Sequence, residues 1–389
     1  MLLCILAFLA LSNAQQLIDL KSFGKGDTPI NGVGSYSIYV SASSDSQESL
    51  KQILVRTTSD NKTTSLYELK NKKLYQTSGL LQPLAVFDKA ILSTSLSNDQ
   101  MSLLKGYLYV TTAQQLVDTQ RFNVYDVVMS ESIKIGSTAD ENCTSVFLNT
   151  NYNTNPWQAS TIGNWVQSDA ASVSIYEGIP KDTDEKPYSQ IFSNPVSLTS
   201  NDSLFIGHVE KFSLNLGAFY VKTNKGVQFT IEPSYTDIDG SNTNAMTTTG
   251  LYMKPFNSAD KKITVLTRSD SRFNGTTGTN LVGSAPGQAT VAFLVNAPGS
   301  ANGIAMVPKD QIQGFSTPHI GDNMTIDSEG MMAGEFFVQY YVIQGNQMTG
   351  TTLSGRQTTA GSVETTTKST RALQLFTSFF VPILGARML

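Results

Sequence analysis

Ser174-Ile175-Tyr176-Glu177 and, about forty residues further on, Gly217-Ala218-Phe219-Tyr220-Val221-Lys222-Thr223 alternate apolar and polar side chains. Their β-branched and aromatic residues mark half-buried strands. A similar pair stands earlier in the chain. Ser65-Leu66-Tyr67-Glu68 precedes the first string by 109 residues, and Gly106-Tyr107-Leu108-Tyr109-Val110-Thr111-Thr112 precedes the second by 111. Between them lie Tyr75 and Tyr188, 113 apart, and two similar turn strings at 95–99 and 197–202. One order of strands at one offset predicts a duplicated all-β module of roughly 110 residues.

Turn signals recur every 8 to 15 residues from Gly32 onward, which is the spacing of a sandwich. The expected boundaries are a first module over 15–128, closed by a strand at 122–128, and a second over 129–236. In the second, Asn224-Lys225-Gly226 reads as a tight hairpin turn before the strand at 227–232. A third β-rich region, 237–346, ends in Glu335-Phe336-Phe337-Val338-Gln339-Tyr340-Tyr341-Val342, 108 residues past Val227. It reads as a diverged third copy, with a larger second domain as the alternative. A short helix is expected near 114–119.

Both ends carry targeting signals. Met1 to Ala14 has an apolar run and small residues at Ser12 and Ala14, which reads as a signal peptide cleaved before Gln15. Residues 347–371 are rich in Thr, Ser and Gly and read as a flexible, O-glycosylated stalk. After Ala360-Gly361-Ser362 come a nine-residue polar spacer and an 18-residue apolar tail, 372–389. That is the layout of a glycolipid-anchor signal with attachment at Ala360. Gln374, Pro382 and Arg387 are blemishes in that signal and count more heavily against a membrane span; a C-terminal helix packed on the body is the third reading.

Charged residues make up 15% of the chain and net charge is −4, so there is no basic footprint for nucleic acid. The polar but uncharged surface suits an extracellular β protein. Once Cys4 leaves with the signal peptide, Cys143 is alone, a free thiol expected to be a buried small hydrophobe. Sequons at Asn61, Asn142, Asn201, Asn274 and Asn323 are candidate glycan acceptors; Asn61 and Asn201 fall in expected turns. His208, beside a strand, and His319, in a polar loop, are too few for a histidine-built zinc site. Asp237 and Asp239 before Gly240 have the alternation of a calcium loop without its closing Glu, and read as a solvated turn. Trp157 and Trp165 are expected to pack in the sandwich. No nucleophile elbow, Walker loop or dinucleotide fingerprint is present. No metal, cofactor or catalysis is expected.

The string Ser174 to Gly178, a long turn, Ser203-Leu204-Phe205-Ile206, and the strands at 219–223 and 227–231 resemble the CUB domain, and in style the CUB-like family of secreted nematode proteins. The resemblance implies a two-sheet jelly-roll sandwich and a role in innate responses to pathogens. The chain departs from the family in lacking paired disulfides, and calcium binding is not carried over because Asn224 stands where an Asp is expected and Glu177 belongs to the strand motif. The expectation is therefore tandem CUB-like β-sandwiches in a secreted or surface-tethered binding glycoprotein, acting in innate defence at an epithelial surface. Its partner would be an extracellular protein or glycan, with membrane contact only through the lipid anchor. A structural coat component and an extracellular hydrolase using paired carboxylates are the alternatives.

Overall fold

The computed structural model describes residues 15–32, 34–73, 78–113, 115, 120–137, 141–152, 158–180, 190–197, 203–235, 247–255, 262–266, 276–284, 291–297, 300–306, 316–320, 323–327 and 335–343, with side chains described up to residue 255 and over 335–342. Among these residues the chain is all-β with short helices, and its strands fall into three consecutive sets.

The first set runs β1 (Gln16–Asp19), β2 (Gly26–Ile30), β3 (Tyr36–Ala42), β4 (Ile53–Thr57), β5 (Thr63–Ser65), β6 (Leu84–Val86), β7 (Ala90–Thr94) and β8 (Gly106–Val110). They pair as two sheets, β1-β8-β3-β6 and β2-β7-β4-β5. The second set follows β9 (Phe122–Asp126). It comprises β10 (Glu131–Ile135), β11 (Cys143–Leu148), β12 (Ser160–Gln167), β13 (Val173–Glu177), β14 (Gln190–Asn194), β17 (Phe212–Leu214), β18 (Ala218–Thr223) and β19 (Val227–Pro233). Its sheets are β10-β19-β12-β17 and β14-β13-β18-β11-β9; β15 (Val196–Ser197) and β16 (Ser203–Leu204) form a separate ribbon. The third set is β20 (Thr248–Lys254), β21 (Lys262–Leu266), β22 (Thr276–Ser284), β23 (Val291–Ala297), β24 (Ser300–Met306), β25 (Ser316–Ile320), β26 (Asn323–Asp327) and β27 (Glu335–Ile343), paired as β20-β27-β22-β25 and β21-β26-β23-β24.

Counted within each set, with β9 and the ribbon left aside, the order is the same three times: first-eighth-third-sixth in one sheet, second-seventh-fourth-fifth in the other. That is the double Greek key of an eight-stranded jelly roll. The repeat is therefore threefold at the level of strand order, and its register differs from the sequence expectation. β8 is the eighth strand of its set and corresponds to β19 and β27, whereas the similar-looking β18 is a seventh strand.

Local chemistry explains other departures. Ser65 to Glu68 is not a strand. Ser65 Oγ accepts from the Glu68 amide at 3.2 Å and Glu68 Oε2 from the Ser65 amide at 3.0 Å, a capping box that starts helix α2 (Leu66–Asn71), the second after α1 (Gln47–Lys51). The turn string at 95–99 likewise ends in a capping box, Ser97 with Gln100, that opens α3 (Asn98–Ser102). Asn224 to Gly226 is not a hairpin: it carries the chain from β18 in one sheet to β19 in the other. β9, expected to close the first module, pairs in parallel with β11 of the second set. His319 lies on β25 opposite Thr277 rather than in a loop. Most of the short helix expected near 114–119 and the Asp237–Asp239 string lie outside the described residues.

Each of the first two sets has a core between its sheets. Ile38, Val40, Leu108 and Val110 meet Val55 and Leu92 in the first. In the second, Phe147, Phe219, Phe229 and Trp165 form the centre, with Phe147 and Phe219 stacked at 4.9 Å and Trp165 on Phe229 at 5.4 Å. The third set joins that core through Leu251, Met253 and Phe337. A further apolar layer lies between the first two sets: Tyr39 and Tyr109 from β3 and β8, Phe122 and Val124 from β9, Val146 and Leu148 from β11, Ala218 and Tyr220 from β18. Strands bordering this layer bury both faces. On β11, Cys143 and Phe147 point into the second core while Val146 and Leu148 point into the shared layer.

Candidate functional site

A buried cluster of titratable groups sits at the rim of that shared layer. Along β3 the even-numbered Ile38 and Val40 fill the first core, so Tyr39 and Ser41 face the second set. Asp126 ends β9 on the same side as Phe122 and Val124. The two elements meet where Ser41 Oγ donates to Asp126 Oδ1 at 2.6 Å. Asp126 is 1% exposed, and its Oδ2 has no hydrogen-bond partner among the described residues.

Segment 78–81 of the first set closes the joint. It lies along β9: the Asp126 amide donates to Gly79 O and the Leu81 amide to Val124 O, both at 2.9 Å. Glu131, at the start of β10, receives the Gly79 amide at 2.9 Å and Ser78 Oγ at 3.1 Å. Position 79 must be glycine for this approach. A Cβ there would stand 2.3 Å from Glu131 Oε1 and 2.4 Å from Asp126 O.

Burial pushes the Asp126 carboxyl up to about 6; the Ser41 hydrogen bond and the charges of Lys73 and Lys70 oppose the shift, and Glu131 adds to it. Glu131 is also raised, by burial first, against the hydrogen bonds from Gly79 and Ser78. Lys70, on α2 and 8% exposed, is lowered by burial and partly held up by Asp126. The cluster can hold or release a proton. Because Asp126 is enclosed, its carboxyl is not open to a substrate. Among the described residues no group of three or more His, Cys, Asp or Glu could hold a metal ion.

The family described as transmembrane glycoprotein matches residues 34–384. The chain belongs to that glycoprotein family. Such a family implies an extracellular or surface location. Among the described residues no helix is long and apolar enough to cross a membrane. No curated protein matches the sequence. Solved structures similar to parts of the chain include the PBSX exported protein XepA, at 8% identity and TM-score 0.18, covering 56% of this chain and 87% of that one. A cycloalternan-forming enzyme from Listeria monocytogenes has 10% identity and TM-score 0.18, with 68% of this chain and 28% of that chain covered. A β-porphyranase from Bacteroides plebeius has 11% identity and TM-score 0.12, with 56% and 36% covered. At these scores they carry no argument about this glycoprotein.

The glycoprotein's sequence-predicted residues are scattered rather than gathered. Asn61 is exposed at the β4–β5 turn with φ of 53°, and Thr63 of its sequon is exposed too. Asn142 is exposed just before β11, whereas the neighbouring Cys143 is buried in the second core and in no disulfide among the described residues. Asn323 begins β26, paired on both sides with Leu266 and Asn296. Asn201, Asn274 and Ala360 lie outside the described residues, as does Trp157; Trp165 packs in the core as expected. His208 bonds Thr248 Oγ1 at 2.8 Å, between the second and third sets. Sequence reasoning missed Ser41, Gly79, Asp126 and Glu131. Ser41 and Asp126 are 85 positions apart, and no local pattern marks either.

Proposed function

We propose that this glycoprotein is displayed on the outer surface of a membrane, tethered at its C-terminal end by a lipid for which residues 372–389 are the attachment signal, and presents its jelly-roll modules to an extracellular protein or glycan partner. The family match over 34–384, which takes in most of the C-terminal tail, carries this reading. The small triplet at Ala360, the polar spacer and the interrupted apolar tail favour a glycolipid anchor as the attachment. The exposed acceptors Asn61 and Asn142 suit a glycan-bearing outer surface. Innate defence at an epithelial surface is the setting that the CUB-like resemblance suggests.

The test is expression of the full chain in a eukaryotic secretory host, followed by treatment of intact cells with phosphatidylinositol-specific phospholipase. Release of a chain lacking residues 372–389 is the expected result. Surface protein that resists the enzyme would replace the lipid anchor by a span. Free secretion with the tail intact would overturn membrane display altogether.

A further inference from the structure

The joint between the first two jelly rolls places a carboxyl where it has no use in packing. Asp126 is enclosed at the rim of the apolar layer and gives one oxygen to Ser41 across the joint. Its other oxygen has no partner among the described residues. An ionised carboxylate in that position is stranded charge; a protonated one is a neutral group with its acceptor oxygen still bonded to Ser41. We propose that this joint is an acid-tightened clamp, in which a proton taken up by Asp126 strengthens the attachment of the first module to the second.

The surroundings agree. The groups that face Asp126 are Ser41 from β3, Lys70 from α2, Lys73 beyond it, and Glu131 from β10. Lys70 in turn faces Asp45 as well as Lys73, and no ion pair joins either lysine to Asp126 among the described residues. The lysines therefore moderate the stranded charge without cancelling it. Glu131 holds the Ser78–Gly79 segment from the far side, and burial favours its proton too. Both acids thus act in the same sense. For a carboxyl whose proton is held more tightly in the fold than in the unfolded chain, stability rises as pH falls through the folded value. With Asp126 raised from 3.8 to about 6, that window lies between those two values, and full protonation favours the closed joint on the order of a hundredfold.

The experiment compares the wild-type chain with D126N and S41A by hydrogen exchange read by mass spectrometry at pH 4.5, 6 and 7.5, corrected for intrinsic exchange. The peptides followed cover 78–81 and 122–128, with β23 as the internal reference. In the wild type, opening of the joint should fall about thirtyfold from pH 7.5 to 4.5 relative to the reference. Asparagine keeps the acceptor for Ser41 without a charge. D126N should therefore show the protected level already at pH 7.5 and lose most of the pH dependence. S41A should loosen the joint and keep a pH dependence at least as large, because the Ser41 hydrogen bond opposes the upward shift of Asp126, which separates a lost hydrogen bond from a lost titration. A wild-type joint whose opening does not change with pH, or a D126N joint that keeps the full slope, would overturn the proposal.

Discussion

Leu148 tests whether the shared apolar layer makes the first two modules one cooperative unit. Its side chain is fully buried at the end of β11 and points away from its own module's core, into the layer with Tyr39, Tyr109 and Tyr220. Truncation to alanine removes three heavy atoms and leaves a cavity bordered by both modules. For a fully buried leucine this costs about 3 kcal/mol. By linkage that is on the order of a hundredfold in the opening constant of any unit that exposes the layer. The assay is native-state hydrogen exchange on L148A at neutral pH, following β8 and β3 in the first module and β18 and β13 in the second. If the layer couples the modules, all four strands lose protection together and by a similar factor. Loss confined to β18 and β13, with β3 and β8 unchanged, would refute the coupling and reduce the layer to a contact between independent domains.

Other outcomes follow from the same geometry. G79A drives a methyl into the Asp126 carbonyl, a backbone atom that cannot swing aside, and should cost about 1 to 3 kcal/mol, read as a lower urea midpoint with early exchange of 78–81. N61Q and N142Q should each remove one glycan, seen as a stepwise shift in electrophoretic mobility that glycosidase treatment abolishes; unchanged mobility would show an unused acceptor.

Some of the misreadings have a physical cause in the joint itself. Gly106–Val110 and Ala218–Thr223 look like copies of one strand, yet they hold different places in their jelly rolls. What they share is environment. Each is a central strand with one face in its own core and the other in the same apolar layer, where Tyr109 and Tyr220 both lie. Burial on two faces selects the same run of aromatic and β-branched residues wherever it occurs. Ser65 to Glu68 departs from the expected strand for another reason. Its short apolar pattern fits either period, and the decisive signal was the Ser-x-x-Glu spacing of a capping box.

Alternation along single strands, a local property of the chain, was enough to establish the all-β class and about half of the strand positions in the first two modules, and the large apolar area of Trp165 was enough to expect its burial. The helix caps at Ser65 and Ser97 were equally local and equally written in the residues. Which strands pair, and hence the threefold jelly-roll order, depended on contacts between distant segments that no strand encodes alone. The joint belongs wholly to that second kind. Asp126 is an ordinary acid in the sequence. It becomes a buried proton site only because β9 leaves the first module's sheets, pairs with β11, and brings its last residue under Ser41.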